Sequence, residues 1–320
     1  MRSLFVMDPL DRINVRGDST YVTMRECTDR GFPCAWCAPA DLWGHSGRVL
    51  ARAAPVTTHA DAPFFRTEAA AETPLDAFDV VWMRKDPPFD MDYVFATYLL
   101  AQVRAPTRVI NHPTGLLRFS EKLWVQERWP ELQPDTMITN DVGRLKAFVR
   151  GRDGRSVLKP WDGNGGRGVF VTDAGDRNLG SIAETLSGEG RRYVIAQAFV
   201  PEVEQGDKRI LLFDGDPVGA MLRVPQATDF RANMHAGGEV FRCELTDRDR
   251  EICAAIGPVL REAGMMFVGI DVIGRWLTEI NVTSPTGIRE INRLYGKKLE
   301  ADLVDRVLAR VGPAAAGGSR

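Results

Sequence analysis

The chain has 320 residues, an apolar share of 44% and a formal net charge of −2. That length exceeds what one hydrophobic core usually fills, which predicts two or three lobes, and the apolar share excludes a disordered or membrane class. A balance this close to neutral supplies no electrostatic footprint for nucleic acid or an anionic membrane surface.

In chain order, Leu4-Phe5-Val6-Met7 reads as a first strand, and a helix runs from about Ser19 to Arg30, stopped by Gly31. Ala77–Met83 is a buried strand, Met91 to Arg104 a helix, and Arg108-Val109-Ile110 a further short strand. This alternation over roughly the first 115 residues predicts a parallel sheet with helices on its faces. Arg84 and Asp86 follow the 77–83 strand in the turn MRKDPPFD, at the carboxyl end where α/β folds bind ligands. From Glu121 the texture changes to helix, strand, Gly-rich loop and strand, with Tyr193–Phe199 the last of these. The strands Arg209–Phe213 and Val218–Val224 come next, and Arg223 lies near the end of the second. Residues 225–239, PQATDFRANMHAGGE, lack periodicity and read as a lid that excludes water. The small-residue tail from Gly312 is expected to be disordered.

The N-terminus has only a short apolar run before Asp8 and Pro9, so no secretory signal is expected, and no stretch approaches the ~20 apolar residues of a membrane span. Five cysteines form an odd set without framework spacing, which fits a reducing cytoplasm. Cys34-Ala-Trp-Cys37 has no second ligand pair and is assigned neither a metal nor a redox role.

Two motifs carry chemistry. Ser156–Pro160 reads as a short strand ending in Lys159 and Pro160, followed by WDGNGGRG at 161–168. Its glycines let backbone N–H groups approach phosphate oxygens, and Lys159 adds a fixed charge. Gly163, Gly165 and Gly168 also match the dinucleotide fingerprint, but that fingerprint needs a following helix, whereas Val169–Thr172 reads as a strand. The loop is therefore expected to be a flap over phosphates. The second motif, FVGIDVIGRWLTEINVTSP at 267–285, reads as a hairpin turning at Gly274-Arg275-Trp276. Glu279 and Asn281 share one strand face, and an odd-numbered connection would set Asp271 opposite Glu279. Three oxygen donors with no neighbouring base suit Mg²⁺, which completes its shell with substrate phosphates.

These segments together resemble bacterial glutathione synthetase, of the ATP-grasp superfamily. The likeness rests on MDPLDRINVRGDST, WMRKDPPFD, EKL at 121–123, LKPWDGNGG, NLGSIAETL, GDKRILLFDGDPVGAMLR and FVGIDVIGRWLTEINVTSPTGIREI, in that order to about residue 305. It implies an α/β fold with an N-terminal parallel-sheet (pre-ATP-grasp) domain at 1–121, a central lid subdomain at 122–200 and a C-terminal ATP-grasp subdomain at 201–311. It further implies ADP-forming ligation of γ-glutamylcysteine to glycine through an acyl phosphate, with Mg²⁺ or Mn²⁺, in a cytoplasmic homotetramer or homodimer.

By the same resemblance, Lys122 and Lys159 bind ATP phosphates beneath the flap Asp162, Gly163, Asn164, Gly165 and Gly166. Gln197, Ala198, Phe199 and Val200 form the hinge against adenine, and Asp207 faces the ribose. Arg209 stabilises the transferring phosphoryl group. Arg84, Asp86, Arg223, Ser284, Pro285 and Thr286 serve the peptide, and Asp271, Glu279 and Asn281 hold the metal. Gly17, Ser120 and Trp161 depart from the family's usual lysine, asparagine and leucine. Two alternatives stay open: a related ligase for another acid and amine, and a nucleotide-binding protein without turnover.

Overall fold

Three β-sheets divide the chain between them in the computed structural model, which describes residues 1–163, 165–225 and 239–311. Asn164, nearly all of the expected lid and the tail from residue 312 lie outside the described residues.

The first sheet holds β1 (Ser3–Val6), β2 (Cys34–Cys37), β3 (Leu42–His45), β4 (Arg48–Thr58), β5 (Phe65–Thr67), β6 (Ala71–Pro74), β7 (Val80–Met83) and β8 (Arg108–Ile110). Its centre is parallel in the order β2-β1-β7-β8, as the alternation predicts. The sheet as a whole is mixed, because β3 to β6 add antiparallel strands around β4. The sequence reading passed over β4, which is unusually long and carries Pro55 and many alanines. Helix α1 (Ser19–Asp29) starts where Asp18 accepts from the Tyr21 amide, and the chain leaves it through Gly31 at φ +74°. Helix α2 (Met91–Leu100) ends a turn sooner than expected. Cys34 and Cys37 fall on opposite faces of β2, in different hydrophobic clusters, so they cannot act as a pair.

After α3 (Pro113–Arg118) and α4 (Trp124–Arg128), the second sheet is wholly antiparallel: β9 (Thr136–Thr139), β10 (Ser156–Pro160), β11 (Phe170–Thr172) and β12 (Val194–Ala198), ordered β11-β10-β12-β9. Helices α5 (Val142–Arg150) and α6 (Leu179–Ser187) cover it with Leu145, Val149, Leu179 and Ala183, a core that shares no residue with the others. The third sheet is also antiparallel, β13 (Asp207–Phe213), β14 (Asp216–Val224), β15 (Glu239–Phe241), β16 (Phe267–Ile273) and β17 (Trp276–Asn281), ordered β15-β14-β13-β16-β17. Three helices unannounced by the sequence reading complete it: α7 (Asp247–Glu262), α8 (Ile288–Tyr295) and α9 (Leu299–Val311). Among the described residues, no helix is long and apolar enough to cross a membrane.

The first and third sheets share continuous cores. One joins Leu4, Val6 and Val81 to Ile210, Ile270 and Ile280; the other joins Phe5, Trp82 and Met24 to Phe213, Phe267 and Leu303. Asn111, 4% exposed, spans the seam. Its amide donates to the Phe267 and Val282 carbonyls at 2.8 Å each, and its carbonyl accepts from the Phe267 amide at 2.9 Å. Truncation would strand three buried backbone groups, each costing roughly 1–3 kcal/mol where water cannot reach it. Asn111→Ala should therefore lower stability by about 2–4 kcal/mol, read from the urea midpoint of the ligand-free protein.

Candidate active site

Hairpin register assembles the centre of the site. The turn between β16 and β17 is only Gly274-Arg275, an even connection that alone would put Asp271 opposite Thr278. A bulge inserts Thr278 as an extra residue, its hydroxyl donating to the Asp271 carbonyl at 3.0 Å, and Asp271 then pairs with Glu279 and Gly269 with Asn281. On the other side Arg209 lies directly across from Asp271, and Asp207 across from Arg223. Directly opposed residues share a face. Asp207, Arg209, Arg223, Asp271, Glu279 and Asn281 thus project from one side of the sheet, while Ile210, Ile270 and Ile280 fill the core on the other.

The expectation of acids without a neighbouring base is overturned here. Arg209 grips Asp271 through two bonds, Nε to Oδ1 at 2.5 Å and Nη2 to Oδ2 at 2.9 Å. Arg223 adds Nη2 to Asp271 Oδ1 at 3.0 Å and binds Asp207 in the same bidentate way at 2.5 and 2.7 Å. Burial would raise the Asp271 pKa, but the two guanidiniums outweigh it and hold the carboxyl well below the usual range. Asp207 moves the other way, because burial outweighs its pairing with Arg223. Gly269 makes this packing possible: a Cβ there would sit 3.2 Å from Arg209 Cδ and 3.3 Å from Pro285. Asn281 donates to the Gly269 carbonyl at 3.2 Å and to Asp271 Oδ2 at 3.3 Å. Among the described residues no group of three or more His, Cys, Asp or Glu side chains is placed to hold a metal ion, and the hairpin offers two carboxylates and an amide.

The flap reaches the same centre. β10 and β11 form an antiparallel hairpin, as strand–loop–strand predicts, and Gly165, Gly166 and Gly168 all take positive φ between them. Lys122 bridges the flap and the β16–β17 hairpin, its Nζ 2.6 Å from Glu279 Oε1 and donating to the Gly163 carbonyl at 2.5 Å. Burial opposes its charge, yet Glu279 holds its pKa above the ordinary lysine value. Lys159 donates to Gln197 Oε1 at 3.1 Å, and burial pulls its pKa down to about 8.

The remaining expected residues divide. Arg84, 6% exposed, donates to the Thr20 hydroxyl and the Pro285 carbonyl, both at 2.9 Å, and lies over the Phe267 ring. Ser284 donates to the Arg84 carbonyl at 3.4 Å, and the Thr286 carbonyl accepts from Arg209 at 3.3 Å. These four join the central cluster. The Asp86 side chain is exposed, and its backbone amide is bound by Asp8. In the 197–200 segment expected as the hinge, the Ala198 and Phe199 amides already donate to the Asp135 and Arg155 carbonyls.

Sequence reasoning missed Glu121. Its Oε1 accepts from the Val282 amide at 2.8 Å, the Thr283 amide at 3.0 Å and the Thr283 hydroxyl at 2.9 Å, while its carbonyl accepts from the Ile280 amide at 2.9 Å. Burial, with Glu279 nearby, raises its pKa. Its only signal was the unexplained acid in EKL.

An antiparallel sheet carrying Lys159 and the glycine flap, tied through Lys122 to a sheet of paired arginines and acids, is the architecture of an ATP-grasp ligase. The fold agrees with the solved ATP-grasp ligase PsnB complexed with a minimal precursor, at TM-score 0.63 and 17% identity over 97% of this chain and 99% of that one. The family model for the prokaryotic glutathione synthetase N-terminal domain matches residues 1–117, and that for its ATP-grasp domain matches residues 121–296. Glutathione synthetase of Gloeobacter violaceus is 44% identical over 324 aligned residues, covering 99% of each chain. That of Pseudomonas syringae pv. tomato is 43% identical over 94% of this chain and 95% of its own. The chain belongs to the prokaryotic glutathione synthetase family.

Removing one partner of a buried ion pair leaves uncompensated charge, at a cost of about 3–5 kcal/mol. Asp271→Asn should destabilise the ligand-free protein toward the lower end of that range, since Asp207 still neutralises Arg223 and leaves Arg209 exposed to the loss. Calorimetry of wild type and variant checks it.

Proposed function

We propose that this chain joins γ-glutamylcysteine to glycine with ATP, forming glutathione, ADP and phosphate. The observation that carries the reading is the convergence of Lys122, Lys159, Arg209, Asp271, Glu279 and the Gly163 carbonyl on one centre, within a chain of this family. A carboxylate does not acylate an amine at neutral pH until its oxygen becomes a leaving group, and phosphorylation by ATP supplies one. Phosphoryl transfer depends mainly on positioning and on neutralising the equatorial oxygens.

The chain's own residues divide that work. Lys122 and Lys159 hold phosphate oxygens, and the flap glycines at positive φ turn backbone toward them. Arg209, locked by Asp271, presents a rigid guanidinium toward the acyl-phosphate oxygens. Arg84 and Arg223 face the peptide's carboxylates, beside the 284–286 segment. Gln197 to Val200 border the adenine, and the Asp207 carboxylate lies toward the ribose while it braces Arg223.

Asp271, Glu279 and Asn281 fit a hard divalent cation by donor chemistry, all oxygen-bearing and set on matched register positions. The two carboxylates are paired with internal cations, Asp271 with Arg209 and Arg223 and Glu279 with Lys122, so a bound cation would compete with Lys122 for Glu279. Mg²⁺, or Mn²⁺ in its place, would supply charge neutralisation between the phosphates. We assign the three sheets to three subdomains with boundaries near 121 and 200, the first and third packed on shared cores and the second on its own.

The reaction is tested directly by supplying γ-glutamylcysteine, glycine and ATP and following glutathione and ADP in equal amounts. Hydroxylamine in place of glycine should trap an acyl hydroxamate. Products of AMP and pyrophosphate, or turnover only with other acid–amine pairs, would overturn the reading. Glu279→Gln should keep the fold and lower kcat about 10²–10³-fold, the usual cost of losing one stabiliser of transition-state charge.

Lys159 gives a pH dependence. Phosphates favour its ammonium form, and a pKa lowered to about 8 means the free protein loses that charge as pH rises through this value. Affinity for a non-hydrolysable ATP analogue should fall from about pH 7 to about pH 9.5, and Lys159→Met should flatten the profile. Equilibrium titration across that range checks both.

A further inference from the structure

Beside the phosphate centre, a narrow cleft opens between the 87–89 turn, the 119–122 segment and the start of the flap. Phe89, Phe119 and Trp161 form an apolar wall, while Glu121, Lys122 and Thr283 provide the polar end. The room left for water-sized groups is about 30 Å³, space for roughly two waters.

Glu121 is divided between two tasks. Its Oε1 is saturated by the two amides and the hydroxyl of Val282 and Thr283. Its Oε2 takes no hydrogen bond among the described residues, and the side chain lines the cleft. A half-buried carboxylate fixed by one oxygen and open at the other is a rigid acceptor for a cationic donor. The arginines that suit carboxylates, Arg84, Arg209 and Arg223, are engaged with Pro285, Asp271 and Asp207 rather than with this cleft. Lys122, which shares the cleft, is engaged by Glu279 and the Gly163 carbonyl, so Glu121 Oε2 is left as an open acceptor that suits an ammonium rather than a carboxylate. The cleft's narrow aromatic wall limits the rest of that ligand to a small body.

We propose that Glu121 Oε2 binds the ammonium of the acceptor amino acid, and that Phe89, Phe119 and Trp161 restrict this acceptor to a small α-amino acid. This deepens the proposed ligase reading and rests on it. An ammonium on Glu121 would lie in the cleft that Lys122 and Gly163 also line, beside the proposed phosphate centre.

The test uses the full chain and two nucleophiles, glycine and hydroxylamine. Glu121→Gln keeps an oxygen for the Val282 and Thr283 donors but turns an NH₂ toward the cleft. Its KM for glycine should rise about 10–100-fold, the usual effect of losing one charge-assisted hydrogen bond. KM for ATP and for γ-glutamylcysteine should stay within about twofold, and so should hydroxamate formation, because hydroxylamine is neutral at pH 7–8 and needs no carboxylate partner. An unchanged KM for glycine in a folded Glu121→Gln protein would refute the proposal, as would equal losses with both nucleophiles. Should that variant not fold by calorimetry, Trp161→Ala carries the test: the ratio of kcat/KM for alanine to that for glycine should rise, and an unchanged ratio counts against the assignment. Failure of the ligase reading looks different, since wild type would then make no glutathione; the same comparison with whichever amine it uses still decides the role of Glu121.

Discussion

The Asp271 carboxylate, with a side chain only 7% exposed, constrains everything around it. A buried carboxylate is tolerated only when paired and hydrogen-bonded. Here it needs Arg209 directly across the sheet, Arg223 from the strand beyond, and a residue without a side chain at 269 to leave room for the Arg209 stem. Arg223 in turn needs Asp207. The bulge at Thr278 completes the set by turning Glu279 to the same face. One buried charge thereby fixes residue types on four strands.

With Lys122 on Glu279, the cluster balances three acids against three bases: Asp207, Asp271 and Glu279 against Lys122, Arg209 and Arg223. Such internal neutrality lets a sheet face this rich in buried charge persist without a ligand. The balance is distributed unevenly. Arg209 and Arg223 are held by bidentate geometry inside one sheet, whereas Lys122 is a flexible point charge tying that sheet to the flap. Of the three cations, it is the one whose partners can be exchanged at least structural expense. The second sheet has a core of its own, so its position against the other two depends on contacts of this kind rather than on shared burial.

How much of this was legible beforehand followed the range of the interactions. Continuous apolar runs mark β1, β7, β13 and β16, buried on both faces, and the missing helix after the glycine loop distinguishes flap from dinucleotide turn. β4 escaped because its alanines and Pro55 mute the alternation, although its buried and exposed residues largely alternate once it is seen in place. The acids of the hairpin were visible as a group, but their arginine partners sit more than 40 residues earlier in the chain, and pairing at that distance leaves no local trace. Asn111 and Glu121 were invisible for a similar reason. Each is a polar residue in an unremarkable segment, given meaning by backbone groups more than 150 residues away.

Glu121 and Lys122 are neighbours in sequence, yet they hold different things. Glu121 grips the backbone just beyond Asn281, and Lys122 grips the Glu279 side chain and the flap. Side chains of adjacent residues diverge, so a single short segment can clamp both the end of β17 and the loop above it. Because Glu121 also accepts the Ile280 amide through its carbonyl, this segment acts as a further edge to the hairpin. Any shift of the second sheet that carries Gly163 must then either break the Lys122 bond or pull on the strand that presents Glu279 and Asn281. One flexible lysine contact constrains less than a ladder whose other face is core, so the Lys122 bridge would yield before the hairpin does. The hairpin's geometry rests on its own sheet and core rather than on the flap, which is what a site built on positioning requires.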